Sequence, residues 1–375
     1  MSRFPLAAAL SAALSILTLT ACQDPTALAS PGTPEQVPVG DTAVGTPLPP
    51  PPKAAQFDLL FDRWESDESR IVRPLLVRTA AFVDSTVIDD SVQAVTGIPG
   101  AFDASVSAAH NVMVYTCTTG HGTTLCRSAI DGTGARTMLP NFSALNADQP
   151  ALSPDGQRVA FRGWAPGGTV GLFNPAHIYI VDIDGTNLTR IAAGAVGAAS
   201  LASPTWSPEQ TDGSYRLAYA RQARSAEGYV VSHLEVMRDD GSESKALTAA
   251  SEHLDTEPTW SPDGRLVAFI RRSASAAGDL WVVPVNDSFS TTALPVAHPL
   301  MSTDPDGEQR APAWSPDGKR LAFVSAHEIL GTFYNWQVYS VAVDGTQLVR
   351  HTSSPHEHAN PVWVNASRSF RTPLR

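Results

Sequence analysis

The residues of this chain best equipped to bind a ligand stand singly, each just ahead of an apolar, strand-like run. Asp148, His253, Asp255, Glu257, Gln309, His358 and Asn360 are the main set, with Gln149, Ser203, Arg310, His356 and Glu357 beside them. They are polar where the adjoining runs are apolar. Imidazole and carboxylate groups that converge on one point can hold a divalent metal. None of these residues has a fixed local metal-site spacing, however, so a solvated polar fringe is the competing reading. Asp304-Pro-Asp306-Gly-Glu308 has the look of a Ca²⁺-loop fragment, but it lacks the remaining ligands of a twelve-residue loop and reads as an acidic turn. There is no Gly-x-Ser-x-Gly elbow and no Gly-Lys phosphate loop.

What must position these residues is a repeat. Ala151-Leu-Ser-Pro-Asp-Gly-Gln-Arg-Val-Ala-Phe161, Thr259-Trp-Ser-Pro-Asp-Gly-Arg-Leu-Val-Ala-Phe269 and Ala313-Trp-Ser-Pro-Asp-Gly-Lys-Arg-Leu-Ala-Phe323 are near-copies. Thr205-Trp-Ser-Pro208 opens a fourth copy that reaches Leu217-Ala-Tyr219 after an insertion. Val106 to Tyr115 keeps the spacing without Pro-Asp-Gly, and Pro361-Val-Trp363 opens an incomplete copy. In each, an apolar strand ends at Ser-Pro, Pro presets φ, Asp caps the turn and Gly takes the positive φ. The following strand is apolar almost throughout, as in Leu266–Ile270, so both its faces should be buried. A second turn follows at Asp131-Gly, Asp184-Gly, Asp240-Gly and Asp344-Gly, with Asn286-Asp-Ser288 as a degenerate form. Asp-Gly between β-rich runs is a strong hairpin signal. Each unit therefore holds four antiparallel strands over roughly 45–55 residues, the pattern of a propeller blade.

The strand-Ser-Pro-Asp-Gly-strand arrangement resembles the PD40 repeat of TolB-like, WD40-like propellers over most of residues 100–365. The fold expected is all-β: a six-bladed β-propeller of four-stranded antiparallel blades. Copies begin near residues 101, 147, 202, 255 and 309. Phe57 through Val95 supplies most of one further blade, and the incomplete copy from Asn360 supplies its missing strand, closing the ring. The resemblance places Asp148, His253, Asp255, Glu257, Gln309, His358 and Asn360 at the mouth of the central channel. It also implies an envelope protein or cell-wall component as partner. The alternative is a channel-mouth, metal-dependent enzyme acting on polysaccharide, like the lyases among such propellers; a divalent metal would be its cofactor. Trp206, Trp260, Trp314 and Trp363 recur at one repeat position and belong to the core, whereas Trp64, Trp164, Trp281 and Trp336 could be exposed.

The 375 residues carry a net charge of −11, which disfavours nucleic acid. Arg3 and the apolar Leu6–Thr20 run form a secretory leader too short to span a bilayer. Leu19-Thr-Ala-Cys22 resembles a lipobox, so Cys22 is the expected lipidation site and membrane anchor. Gln23 does not resemble an inner-membrane retention signal, so an exported, outer-membrane or periplasm-facing lipoprotein is expected, as a monomer. The expected divisions are residues 1–21 as signal peptide, 22–56 as the lipidated Cys and Pro-rich tether, 57–370 as propeller and 371–375 as tail. Cys117 and Cys126 remain as an even pair flanking Gly120-His-Gly122, placed to form a hairpin disulfide in an oxidising compartment.

Overall fold

The structure, a computed structural model, describes residues 57–64, 72–78, 92–95, 98, 100–120, 122–139, 145–249, 253–273, 277–285, 294–295, 308–330, 333–352 and 357–365. The leader, Cys22, the Pro-rich tether, the Asn286-Asp-Ser288 turn, residues 304–307, His356 and the C-terminal tail lie outside the described residues, as does the side chain of Trp64. The chain divides into two units, residues 1–52 and 53–375, and every described strand belongs to the second.

Every described regular element is a β-strand. The strands are β1 (Phe57–Trp64), β2 (Val72–Arg78) and β3 (Val92–Ala94); β4 (Ala101–Ser107), β5 (Val112–Thr119), β6 (Gly122–Ser128) and β7 (Arg136–Thr137); then β8 (Asn146–Leu152), β9 (Arg158–Trp164), β10 (His177–Asp182) and β11 (Thr189–Ala192). They continue as β12 (Ala199–Trp206), β13 (Arg216–Arg224), β14 (Val230–Arg238) and β15 (Lys245–Ala246); β16 (Leu254–Trp260), β17 (Leu266–Arg272), β18 (Asp279–Pro284) and β19 (Leu294–Pro295); β20 (Gln309–Trp314), β21 (Arg320–Leu330), β22 (Phe333–Ala342) and β23 (Val349–Arg350); and last β24 (Glu357–Asn365). Each group of four forms an antiparallel sheet in sequence order. The β12–β15 and β16–β19 sheets are joined by one parallel bridge, Ser232↔Leu254. In the first sheet the order is β24-β1-β2-β3, so the C-terminal strand takes the place of a first strand.

The turn chemistry follows the residues foreseen for it. At Ser153-Pro-Asp-Gly156, the Asp155 carboxylate accepts the Ser153 hydroxyl and the Gln157 amide, and Ser153 Oγ accepts the Arg158 amide. Gly156 takes φ +70°, open to glycine at little cost. The same bonds recur at Ser261/Asp263 and Ser315/Asp317. In the hairpin β5–β6, Cys117 and Cys126 form a disulfide with Cα atoms 5.9 Å apart. A crosslink closing so short a loop contributes about 2–3 kcal/mol in the chain-entropy account.

The second strand of each repeat is buried on both faces: Val159, Ala160 and Phe161 have no exposed surface, nor do Val267, Ala268 and Phe269. One sheet cannot cover two apolar faces, so neighbours must. Among the described residues there are six apolar clusters, each shared by two sheets. Leu60 and Val364 pack on Met113 and Tyr115. Val114 and Leu125 pack on Val159 and Phe161. Ile178 and Ile180 meet Leu201 and Leu217. Leu234 and Val236 meet Val267 and Phe269. Ile270 and Leu280 meet Leu321 and Phe323. Val324 and Val338 meet Leu59, Phe61 and Trp363, which belong to the first sheet. Each fully buried Phe is worth about 2–3 kcal/mol of transfer free energy.

The recurring Trp residues are core, 5–8% exposed. Three also tie neighbouring sheets by a polar bond: the indole N–H of Trp206 donates to Ala151 O, that of Trp314 to Thr259 O and that of Trp363 to Ala313 O. Trp260 Nε1 is buried and has no such acceptor. Replacing Trp314 by Phe should therefore destabilise the chain by about 1 kcal/mol more than replacing Trp260 by Phe, the worth of one buried hydrogen bond. Equilibrium urea unfolding of the two variants makes the comparison; equal losses would mean that the indole bonds carry no weight.

Candidate functional site

The first strand of every sheet contains a bulge, and the bulged residue is left-handed. Asp103, Gln149, Ser203, Glu257, Ala311 and Asn360 have φ between 48° and 57°. The strand register slips at each of them. Five are followed by proline (Pro150, Pro204, Pro258, Pro312 and Pro361), which normally drives the preceding residue to extended conformations. Left-handed geometry at a non-glycine residue is costly and persists only where the surroundings fix it. Here the surroundings do so with hydrogen bonds across sheets. The Asp103 amide donates to Asp62 Oδ2 at 2.9 Å, Ser203 to Gln149 Oε1 at 2.9 Å and Ala311 to Glu257 Oε2 at 2.6 Å. The Gln149 amide donates to the Asp103 carboxyl. A bulged side chain thus holds the bulged backbone of the next sheet at Gln149, Ser203 and Ala311, and Asp62 of β1 does so for Asp103.

These six positions line one cavity of about 360 Å³, together with the prolines after them and Trp260, Trp314 and Trp363. The cavity lies where the six first strands meet. Its polar groups include the Asp103 and Glu257 carboxyls, the Gln149 and Asn360 amides and the Ser203 hydroxyl, with Ser105, Thr205 and Thr259 beside them.

Asp62 lies behind this rim, 2% exposed, and also accepts a bond from Asn360 Nδ2 at 2.7 Å. Burial pushes its carboxyl up to about 7, against the lowering effect of the Asp103 amide and Asn360. Burial, with Asp148 and Asp62 nearby, pushes Asp103 up to about 8, and Arg162 offsets part of this. Burial also raises Glu257, opposed by the Ala311 amide, Arg310 and Arg272.

Of the seven residues singled out from sequence, Glu257 and Asn360 line the cavity and the other five do not. Asp148 is locked to Arg162 through two bonds of 2.7 and 2.6 Å. Asp255, fully buried, is locked to Arg271 through two bonds of 2.7 Å. Gln309 Oε1 accepts the Leu280 amide, and His358 lies against Trp336 O and the edge of Phe61. His253 O accepts the Ser232 amide. These residues stand one to four places before the bulge, and all but His253 lie where the strand is still in regular register. Gln149 and Ser203, named beside them, do reach the cavity.

The divalent metal expected from sequence would need several converging imidazole and carboxylate donors. Among the described residues no group of three or more His, Cys, Asp or Glu side chains could hold one. The expected donors Asp148 and Asp255 are instead neutralised by arginines. Trp164, Trp281 and Trp336 are not open surface either: each is half-buried beneath a guanidinium, of Arg162, Arg271 and Arg310 respectively.

Sequence reasoning missed Asp62 and Asp103. Asp103 was accessible, because it lies three residues before Val106 just as Glu257 lies three before Trp260. Asp62 had no repeat signal; its role depends on contacts 41 and 298 residues away along the chain.

No family model matches the chain. An 82-residue stretch is 38% identical to the Tol-Pal system protein TolB of Rhizorhabdus wittichii, covering 22% of this chain and 16% of that protein. The solved TolB of Acinetobacter baumannii superposes with a TM-score of 0.59 at 14% identity, over 82% of this chain and 66% of that one. The fold is TolB-like. It is not confined to TolB proteins: hydrazine synthase of Kuenenia stuttgartiensis matches with a TM-score of 0.61 at 14% identity, over 85% of this chain and 48% of that one. The stretches matched in the curated relatives amount to 15–19% of those proteins' lengths. A TolB-like scaffold therefore sets where the cavity lies, and the residues on its rim are this chain's own.

The carboxyls of that rim set a pH dependence. Unfolded, both acids titrate near 3.8; folded, near 7 for Asp62 and 8 for Asp103. Between those values the folded chain holds protons that the unfolded chain has released, so stability falls as pH rises. Buried His351, lowered to about 3, works in the opposite direction, but only below its unfolded value of 6.5. From pH 6.5 to 8 the melting temperature should fall, and Asp103→Asn, which can still accept the Gln149 amide, should flatten that fall. Thermal melts followed by circular dichroism decide it; parallel slopes would contradict burial of a protonated Asp103.

Proposed function

We propose that this chain is an exported envelope lipoprotein, anchored through Cys22, whose propeller binds an envelope protein or a cell-wall component at the cavity where its first strands meet. In this reading the six sheets are blades of one ring, closed where β24 joins β1, and the cavity is the ring's axial funnel. The observation that carries the proposal is the rim itself. Carboxyl, amide and hydroxyl groups are held on five of the six left-handed bulges, and bonds run from sheet to sheet, so they face an incoming ligand already ordered. Pre-ordering of this kind lowers the entropic cost of binding. Support comes also from the TolB-like fold and from the Tol-Pal system named in the relative that shares an 82-residue stretch.

The direct test is retention of purified Cys22→Ser chain on isolated peptidoglycan and on immobilised envelope extract, with Glu257→Gln as the discriminating variant. Glutamine at this position keeps the acceptor for the Ala311 amide, as Gln149 does for Ser203, so the fold should stand. Saturable retention weakened about tenfold, near 1.4 kcal/mol, by Glu257→Gln is the expected result. Absence of retention on both materials, or retention indifferent to Glu257, would overturn the proposal.

A further inference from the structure

A second cavity, of about 480 Å³, lies away from the first strands' rim, between the β4–β7 and β8–β11 sheets. Its walls come from the β4–β5, β6–β7 and β8–β9 turns and the strands beside them. Its polar residues include His110, Asn111, Arg127, Thr133, Arg136 and Gln157. Among the described residues, no carboxylate lines it.

The two arginines are the informative pair. Arg127 on β6 and Arg136 on β7 are directly opposite partners in the antiparallel ladder, so their side chains leave the same face of the sheet side by side. Like charges in that relation are destabilising. Several other arginines are answered by carboxylates: Arg158 by Asp239, Arg162 by Asp148, Arg238 by Asp212, and Arg271 by Asp255. Arg127 and Arg136 meet no such carboxylate among the residues that line this cavity. Asp184 feels the charge of Arg136, but its own turn already holds its carboxylate, through the Thr186 amide and hydroxyl. Asp131 is likewise held by Thr133. Arg127 is half-buried, so its uncompensated charge also bears part of a desolvation cost. His110 completes the set: its Nδ1 meets Ser107 Oγ at 2.8 Å.

Two guanidinium groups lining one space, with an imidazole beside them, match a tetrahedral oxyanion, which accepts several charge-assisted bonds at once. We propose that this cavity is a binding site for a phosphate-bearing ligand, held by Arg127 and Arg136 with His110 at the edge. The strand-to-strand repulsion is present in the free protein and relieved when the anion is bound. The ligand is either a soluble phosphoester or a phosphorylated lipid headgroup, which share this chemistry. The site is independent of the axial rim and of the function proposed there.

The test uses full-length Cys22→Ser chain, Arg127→Gln in the same background, and Glu257→Gln as a control away from the site. Inorganic phosphate should raise the melting temperature of the parent chain and of the Glu257→Gln chain in a saturable way. Arg127→Gln should weaken phosphate binding, read by isothermal titration calorimetry, by about tenfold. The same substitution should raise the melting temperature without phosphate, because it removes the like-charge pair; a merely structural arginine would lower it. Co-sedimentation with phosphatidic acid vesicles, against phosphatidylcholine vesicles, separates the sources. Binding to the acidic vesicles that Arg127→Gln abolishes identifies a headgroup site, and phosphate binding without it identifies a soluble ligand. If neither phosphate nor acidic vesicles bind, or if Arg127→Gln leaves binding unchanged, the proposal fails.

Discussion

The constraint on which this structure depends is that its sheets are apolar on both faces. A strand such as Val159-Ala-Phe161, with no exposed surface, stabilises the fold only if another sheet lies on each side of its own. Dispersion and transfer terms thus act between sheets as much as within them, and the apolar clusters each draw on two neighbours. Hydrogen-bonded pairing alone would leave these faces in water. The β24-β1 pairing answers the same need at the chain's own ends, because Leu59, Phe61 and Trp363 are the apolar surface that Val324 and Val338 cover.

The first strands carry a further burden. They must approach one another closely, and their bulges turn backbone amides toward the neighbouring sheet. Serving those amides takes an acceptor on the preceding sheet's bulge, which is why a polar residue recurs there, as in Gln149 and Glu257. The candidate site is thus made of the groups that join the sheets. Their strain and their raised proton affinity follow from this double role: a carboxyl close enough to hold a neighbour's amide is too deeply set to be well hydrated.

Much of the fold could be read in the sequence because its determinants are local. Ser-Pro-Asp-Gly and Asp-Gly turns specify their own hydrogen bonds within a few residues, and Asp155 and Asp184 make the bonds their types imply. The Cys117–Cys126 hairpin was legible for the same reason. The site was less so. Asp148 and Asp255 look like ligands in a polar segment, yet each finds an arginine one strand over, a pairing fixed by register. A shift of one or two positions along the strand decides whether a side chain packs between sheets or faces the cavity, and that offset is set by a bulge without a glycine to mark it. Asp62 was invisible because nothing near it in sequence repeats.

If no sheet stands without both neighbours, the dependence is most exposed at the C-terminal strand. Native-state hydrogen exchange on a chain ending at residue 356, beside the full chain, tests it. Removing β24 should strip protection from β1 and from the facing strands β5, β21 and β22, with loss of a single cooperative unfolding transition. Protection lost only from β1, with the neighbouring sheets as slow to exchange as before, would contradict the mutual dependence of the sheets.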